Sequence, residues 1–336
     1  KSNRAKGSMA LLAADGESVY DGKLTQIKGR GNSTWKGAKR PYQIKLDKKT
    51  DLLQTGDSAD KAKTWVLLAN FYDPSAVRNM LALDLGRALQ MECNMGYRPV
   101  CLFYDGEFRG LYLLTEKVEV NEGRVDVTDL EKANEMANPD VEDLTKLESK
   151  TGTTANGATY LYCDGMNDPA DITGGYLLEM DFADRAMEEK CYFITTRGFY
   201  VVVKSPEACS KAEMDYIASW YQDYEDAVFE GGTSSKTGNP FTDYVTVESM
   251  VQCYLVNELS KNGDGFNTSA YLYKETGSKP MKMGPLWDYD LSFGNNNYED
   301  LLPQPELLYT VYGSLGRALY ALPEFRVEAQ RQYTKY

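Results

Sequence analysis

The sequence predicts an α+β fold, and three observations carry that expectation. Turn-bounded, alternating stretches fill the chain from about Met9 to Asp47, two further apolar stretches form a hairpin at Arg98–Val118, and two long helical stripes come after residue 210. The chain has 336 residues, enough for two ordinary domains or one two-lobed unit with a large core.

In the first segment, Asp15–Gly16 and Asp21–Gly22 are turn signals, and Ile27, Ile44 and Leu46 sit in short alternating stretches. A polar loop is expected over Lys48–Lys63, followed by a short buried strand or helix entry at Trp65–Asn70. Asp73 is a good N-cap with Pro74 at the first helical position. Val77, Met80, Leu81, Leu85, Ala88 and Leu89 then form an apolar stripe at helical spacing, with Asp84 inside it. A carboxylate on a core-facing stripe needs a partner. Arg98–Tyr104 and Arg109–Val118 read as strands joined at Asp105–Gly106, with the hairpin expected to pack on the preceding helix. Residues 121–172 read as a polar insertion, with one short helix near Val127–Met136 and a mobile loop around Ser149–Gly157. Strands are expected at Gly174–Asp181 and Gly198–Pro206, then helices at about Lys211–Phe229 and Val245–Ser260. No internal repeat stands out.

Composition excludes several kinds of chemistry. There are 37 Lys and Arg against 50 Asp and Glu, a net charge of −13. General nucleic-acid binding needs clustered cations, so it is disfavoured, although a small cationic phosphate site is not. There is no histidine. If this chain is the whole catalytic unit, Ser–His and Cys–His pairs, histidine bases and His-ligated zinc are excluded. Acid–base work falls to Asp, Glu, Lys, Tyr or Cys, and a bound metal is expected to be a hard ion on carboxylates and amides. The six cysteines form no CxxC pair and are read mostly as buried free thiols, with one or two disulfides if the protein is secreted. No transmembrane span or signal peptide is visible; the abrupt start and a final helix that reads as unfinished suggest a domain cut from something larger.

Two polar clusters end apolar elements: Lys261–Tyr273 and Gly284–Asn295. Asp264, Asn267, Asp288 and Asp290 can converge there as an Mg²⁺ site with a spare carboxylate as base. The competing reading makes Asp264–Gly265 a plain turn and Asp288 and Asp290 caps of neighbouring structure. Element order favours the first. A loop with Gly29 and Gly31 precedes a strand holding Lys45, a helix acid and a hairpin follow, and Asp264 and Asn267 come before the Asp-x-x-Phe-Gly run Asp290–Gly294. Protein kinases use this running order.

At KGRGNSTW (28–35), KRPYQIKL (39–46), WVLLANFYDPSAVRN (65–79), GEFRGLYLLTEKV (106–118), GGYLLEMD (174–181), KNGDGFNTSAYLY (261–273) and WDYDLSFG (287–294), the sequence resembles the spore-coat protein H (CotH) kinase family. The resemblance implies an atypical, secretory-type protein kinase fold: a smaller β-rich N-lobe over residues 1–118 and a larger mixed C-lobe over 119–336. It implies transfer of the ATP γ-phosphate to Ser or Thr hydroxyls of a coat or extracellular protein, dependent on Mg²⁺ or Mn²⁺. Asp264 matches the catalytic Asp and Asn267 the metal-binding amide. Asp288 and Asp290 both stand as candidates for the metal aspartate. Lys45 is the candidate phosphate-binding lysine, with Lys39 and Arg40 as substitutes, and Arg30, Asn32 and Ser33 would lie over the phosphates. Asp84 is assigned as the helix acid from the apolar stripe, with Arg78 its rival as polar anchor. Glu116 falls at the hinge. Glu179 and Asp181 project from one side of a strand, as further site acids or as structural groups. The family occurs in spore coats, secreted bacterial proteins and cellulosomes, so an extracellular or spore-coat location is expected. The alternative is a non-catalytic kinase-like module in a spore coat, cell surface or polysaccharide-degrading assembly.

Overall fold

A computed structural model describes residues 3–295, 308 and 314–335. The fold is α+β. One antiparallel sheet is built from β1 (Arg4–Leu12), β2 (Ser18–Gly29), β3 (Tyr42–Thr50), β4 (Ala62–Leu68), β5 (Tyr97–Tyr104) and β6 (Glu107–Glu116), in the order β1-β2-β3-β4-β6-β5. Period-two alternation gives its two faces different jobs. Leu24, Ile44, Leu46, Trp65, Leu67, Tyr112 and Leu114 bury one face as a separate core. The opposite face carries Gln26 paired with Lys45, and Lys28 paired with Gln43, which in turn faces Val66.

The first helix, α1, spans Arg78–Ala88, later than its apparent N-cap suggests. Asp73 does cap, but it caps a turn. Its carboxylate accepts from the Ser75 and Arg78 N–H groups, and Ala76 takes a positive φ of 58° before the helix begins. The expected apolar stripe is out of phase. Val77 and Leu81 are 46% and 44% exposed, whereas Asn79, Ala82, Leu83 and Gly86 are buried. α1 meets the hairpin at Tyr97, through Asp84 and Arg87, but its buried face turns elsewhere. Ala82, Leu83 and Leu89 join the second, larger core, and Gln252 Nε2 donates to the Leu89 carbonyl.

That larger core surrounds a second antiparallel sheet, ordered β13-β12-β9-β11-β10-β8-β7. Its strands are β7 (Ser149–Thr153), β8 (Thr159–Cys163), β9 (Tyr176–Asp181), β10 (Tyr192–Ile194), β11 (Tyr200–Ser205), β12 (Ala270–Lys274) and β13 (Lys282–Met283). The polar 121–172 stretch contains α2 (Leu130–Ala137), close to the expected helix. The loop expected at 149–157 is instead largely β7, paired with β8 along its length. Its polar residues satisfy the ladder without supplying an apolar pattern, so sequence patterning passes over it. The remaining helices are α3 (Ala183–Ala186), α4 (Lys211–Phe229), α5 (Val247–Ser260), α6 (Ser314–Ala321) and α7 (Pro323–Lys335). A Ser210–Glu213 capping box starts α4, and Lys261 in the left-handed region ends α5. Among the described residues no helix is long and apolar enough to cross a membrane. All six cysteines are free thiols, and five are buried.

Candidate active site

The end of α5 launches the first polar loop. Asp264 lies on a tight turn whose backbone is self-supporting: its carbonyl accepts from the N–H groups of Asn267 and Thr268, each at 3.0 Å. Its N–H is taken by Asn262 Oδ1 at 3.2 Å. The carboxylate itself has no hydrogen-bond or ion-pair partner among the described residues. The plain-turn reading of Asp264 therefore does not explain its side chain. Burial raises the carboxyl to about 6, helped by Asp288 and opposed by Arg185.

The second loop folds back against the first. Trp287 lies under the Arg30 guanidinium, 5.0 Å from the ring centroid. Asp288 takes a positive φ of 66° and accepts from Ser269 Oγ at 3.4 Å. Tyr289 turns inward and is buried, and Asp290 comes to rest near Asp264 and Asp73. Burial raises Asp290 to about 7, with Asp288, Asp73 and Asp264 adding to the effect. Asp288 keeps an exposed side, but the protein packed around its carboxyl raises it, while Arg30 and Arg185 pull it back. The run after Asp290 is pinned on two sides: the Phe293 N–H donates to the Ser260 carbonyl, and Arg78 Nε donates to the Ser292 carbonyl.

Arg30 reaches this site from just beyond β2. Gly31 follows with a φ of 78°, and a Cβ on Gly29 would strike the Trp35 ring at 2.2 Å, so both glycines are required by the loop's path. Arg30 Nη1 is buried and has no hydrogen-bond partner among the described residues. A buried donor left unmatched is costly, and here it belongs to a cation close enough to Asp288 and Glu179 to feel their charges. Lys28, two residues earlier on the same strand face, is within electrostatic reach of Arg30, Lys117 and Glu207.

The other assigned residues fare unevenly. Asn32 and Ser33 lie exposed on the loop after Arg30, and Asn267 is exposed beyond Asp264. Lys45 occupies the face that carries Lys28, one row further out, and it is exposed with no ion-pair partner among the described residues. Lys39 lies over the Tyr112 ring and Arg40 over Trp35. Asp84 does not face the core. Its side chain is 51% exposed and is held by Arg87 and by the Tyr97 hydroxyl, so no Lys45–Asp84 pair forms. The rival holds instead, because Arg78 bridges Asp73 to the Ser292 carbonyl. Glu116 is turned into the protein: it accepts from the Gly96 N–H at 2.6 Å and faces Arg124 at 3.8 Å. Its carboxylate is therefore engaged within the protein by Gly96 and Arg124.

Sequence reasoning missed three cations. Arg185 pairs with Asp181 at 3.3 Å and bears on Asp264 and Asp288; its spacing of four from Asp181 was the available signal. Lys28 stood inside the KGRGNSTW motif without a role. Lys204 faces Glu179 at 3.5 Å, and Tyr271 Oη donates to Glu179 at 2.8 Å, which makes Glu179 a satisfied, buried group. Asp181 accepts from Thr268 Oγ1 at 2.8 Å, tying β9 to the Asp264 loop.

A family profile described as CotH kinase protein matches residues 27–335. The chain belongs to the CotH kinase family. No curated protein matches it. CotH membership brings a kinase-like fold and points to kinase-like function and ATP use. The match begins at Ile27 and so takes in the Arg30 loop together with both acidic loops. Among the described residues no three Asp, Glu or Cys side chains stand close enough to enclose a metal ion. Burial first, and then the charge of Asp288, raises both Asp264 and Asp290.

Proposed function

We propose that this CotH family member is an ATP-dependent protein kinase that phosphorylates Ser or Thr hydroxyls of a coat or extracellular protein. The reading places nucleotide between an N-lobe of residues 1–118, whose α1 packs on the larger core, and a C-lobe of residues 119–336. The observation that supports it most is the unmatched Arg30 Nη1, buried over Trp287 beside Asp288. A buried guanidinium donor with no acceptor among the described residues suits a phosphate oxygen.

In this reading Arg30 binds the phosphates, and Lys28 and Lys45, on the same sheet face, add positive charge beside them. Asn32 and Ser33 cover them from the loop. Asp264 accepts or orients the acceptor hydroxyl, for which its free, partly desolvated carboxylate is suited. Asp288, Asp290 and Asn267 would hold Mg²⁺ or Mn²⁺, which neutralises charge on the phosphates when bound. Arg185 steadies Asp181 and offsets the charge of Asp264 and Asp288.

The test is incubation with γ-labelled or α-labelled ATP and Mg²⁺ or Mn²⁺, followed by intact mass analysis. γ-Label on Ser or Thr supports the kinase. α-Label indicates nucleotidyl transfer, and ATP binding without transfer to any acceptor indicates a binding module.

A further inference from the structure

Asn257, on the last turn of α5, is the buried group on which both acidic loops converge. Its side-chain Oδ1 accepts from Tyr289 Oη at 2.7 Å and from Asn262 Nδ2 at 3.3 Å. Its backbone carbonyl accepts from the Asn262 N–H at 3.0 Å. Each donor leads directly to a site acid. Asn262 uses its own Oδ1 to hold the Asp264 N–H. Tyr289 lies between Asp288 and Asp290, and its N–H is held from the other side by Asn79 Oδ1 at 2.8 Å. The contact is close as well as polar: a Cβ on Gly265 would come within 2.7 Å of Asn257 Cγ, so the Gly after Asp264 lets the loop lie against this side chain.

We infer that Asn257 is a positioning residue that fixes the Asp264 loop and the Asp288–Asp290 loop in one register; the inference rests on the kinase reading above. A single amide oxygen has two lone pairs, and here one is given to each loop. The two loops are separated by β12 and β13 in the chain, so their relative placement depends on tertiary contacts. Reacting groups must be held to fractions of an ångström, and Asn257 is where an error in one loop passes to the other. Replacing it with an apolar side chain leaves the Tyr289 hydroxyl and the Asn262 amide without their buried acceptor.

The test combines amide hydrogen exchange with nucleotide binding and transfer rate. In Asn257→Leu, amides of residues 262–269 and 286–293 should exchange faster together, by about tenfold, the effect of losing a buried hydrogen bond. ATP affinity with Mg²⁺ and transfer rate should both fall by about tenfold or more. Asn257→Asp, which keeps the acceptor oxygen, should restore protection at acidic pH, where its buried carboxyl is protonated. Tyr289→Phe should loosen residues 286–293 and spare 262–269. Acceleration confined to one loop in Asn257→Leu, or native protection and rate in that variant, overturns the inference; so does an aspartate that rescues no protection at acidic pH. If Asn257→Leu does not fold, Tyr289→Phe decides, and equal loosening of both loops or of neither overturns it. If the wild-type protein binds no ATP, the kinase reading fails, while the exchange pattern still decides the role of Asn257.

Discussion

Replacing Asp264 with asparagine should move activity and stability in opposite directions. Among the described residues the carboxylate has no partner to lose, since its backbone holds the turn. Its folded value of about 6 stands above the ordinary 3.8, chiefly through burial and then through Asp288. A raised carboxyl favours the folded state below its unfolded value, and that contribution is lost as pH rises through about 6. At pH 8 the ionised group therefore opposes folding by about 3 kcal/mol, from a shift of about two units at 1.36 kcal/mol each. The neutral amide of Asp264→Asn lacks this penalty, so the variant should melt about 4 °C higher at pH 8 in chelator, given the unfolding entropy of a chain this long. The difference should close below pH 4. Phosphoryl transfer should meanwhile fall by about 100-fold, the low end for a positioned acid–base group. Calorimetric melting at the two pH values and a single-turnover transfer assay measure both effects. Full activity in the folded variant refutes the assignment of Asp264, and a lower melting point at pH 8 refutes the account of its environment.

Arg30→Met should weaken Mg–ATP binding by about 30-fold or more and change the melting temperature little, because loss of the contact with Trp287 is offset by removing a buried donor that no described group satisfies; unchanged affinity by calorimetry counts against a phosphate role. Glu116→Ala should cost about 2–3 kcal/mol of stability by abandoning the Gly96 N–H and Arg124, while ATP affinity per folded molecule stays the same. Denaturation with urea and nucleotide titration separate the two. Glu213 is raised by burial to about 7 from 4.5, so it should make the protein less stable as pH climbs from 4.5 through 7, by about 3 kcal/mol. Glu213→Gln should flatten that slope in urea midpoints recorded across the range.

The strands and long helices were legible because their burial repeats along the chain. The β5–β6 hairpin turns at Asp105–Gly106, α4 spans Lys211–Phe229 and α5 fills most of its expected range. The loops bearing Arg30, Asp264 and Asp288–Asp290 stood out for another reason: they are polar runs at the ends of apolar elements, and their motifs resemble those of the CotH kinase family. Misreadings arose where a distant contact overrode local pattern. Asn79 is buried on α1 because it receives the Tyr289 N–H, and Gly86 is buried because Leu286 and Asn94 close over it. No local rule announces either contact, so the apolar stripe was phased onto Leu81 and carried Asp84 inward with it. Glu116 was placed correctly in the chain, but whether its side chain faces a ligand or the core depends on Arg124, which follows the hairpin.

All four tryptophans have a cation over the ring: Arg40 over Trp35, Arg124 over Trp65, Lys274 over Trp220 and Arg30 over Trp287. The Trp65 and Trp220 pairs are fixed by buried cations with protein partners of their own. Of the four, only the Trp287 pair has its cation beside Asp288 in the candidate site, so drawing Arg30 toward an anion changes the electric field across that indole. If nucleotide binds as proposed, Trp287 emission should change on its addition, and loss of that change in Trp287→Phe assigns it to this ring rather than to the other three.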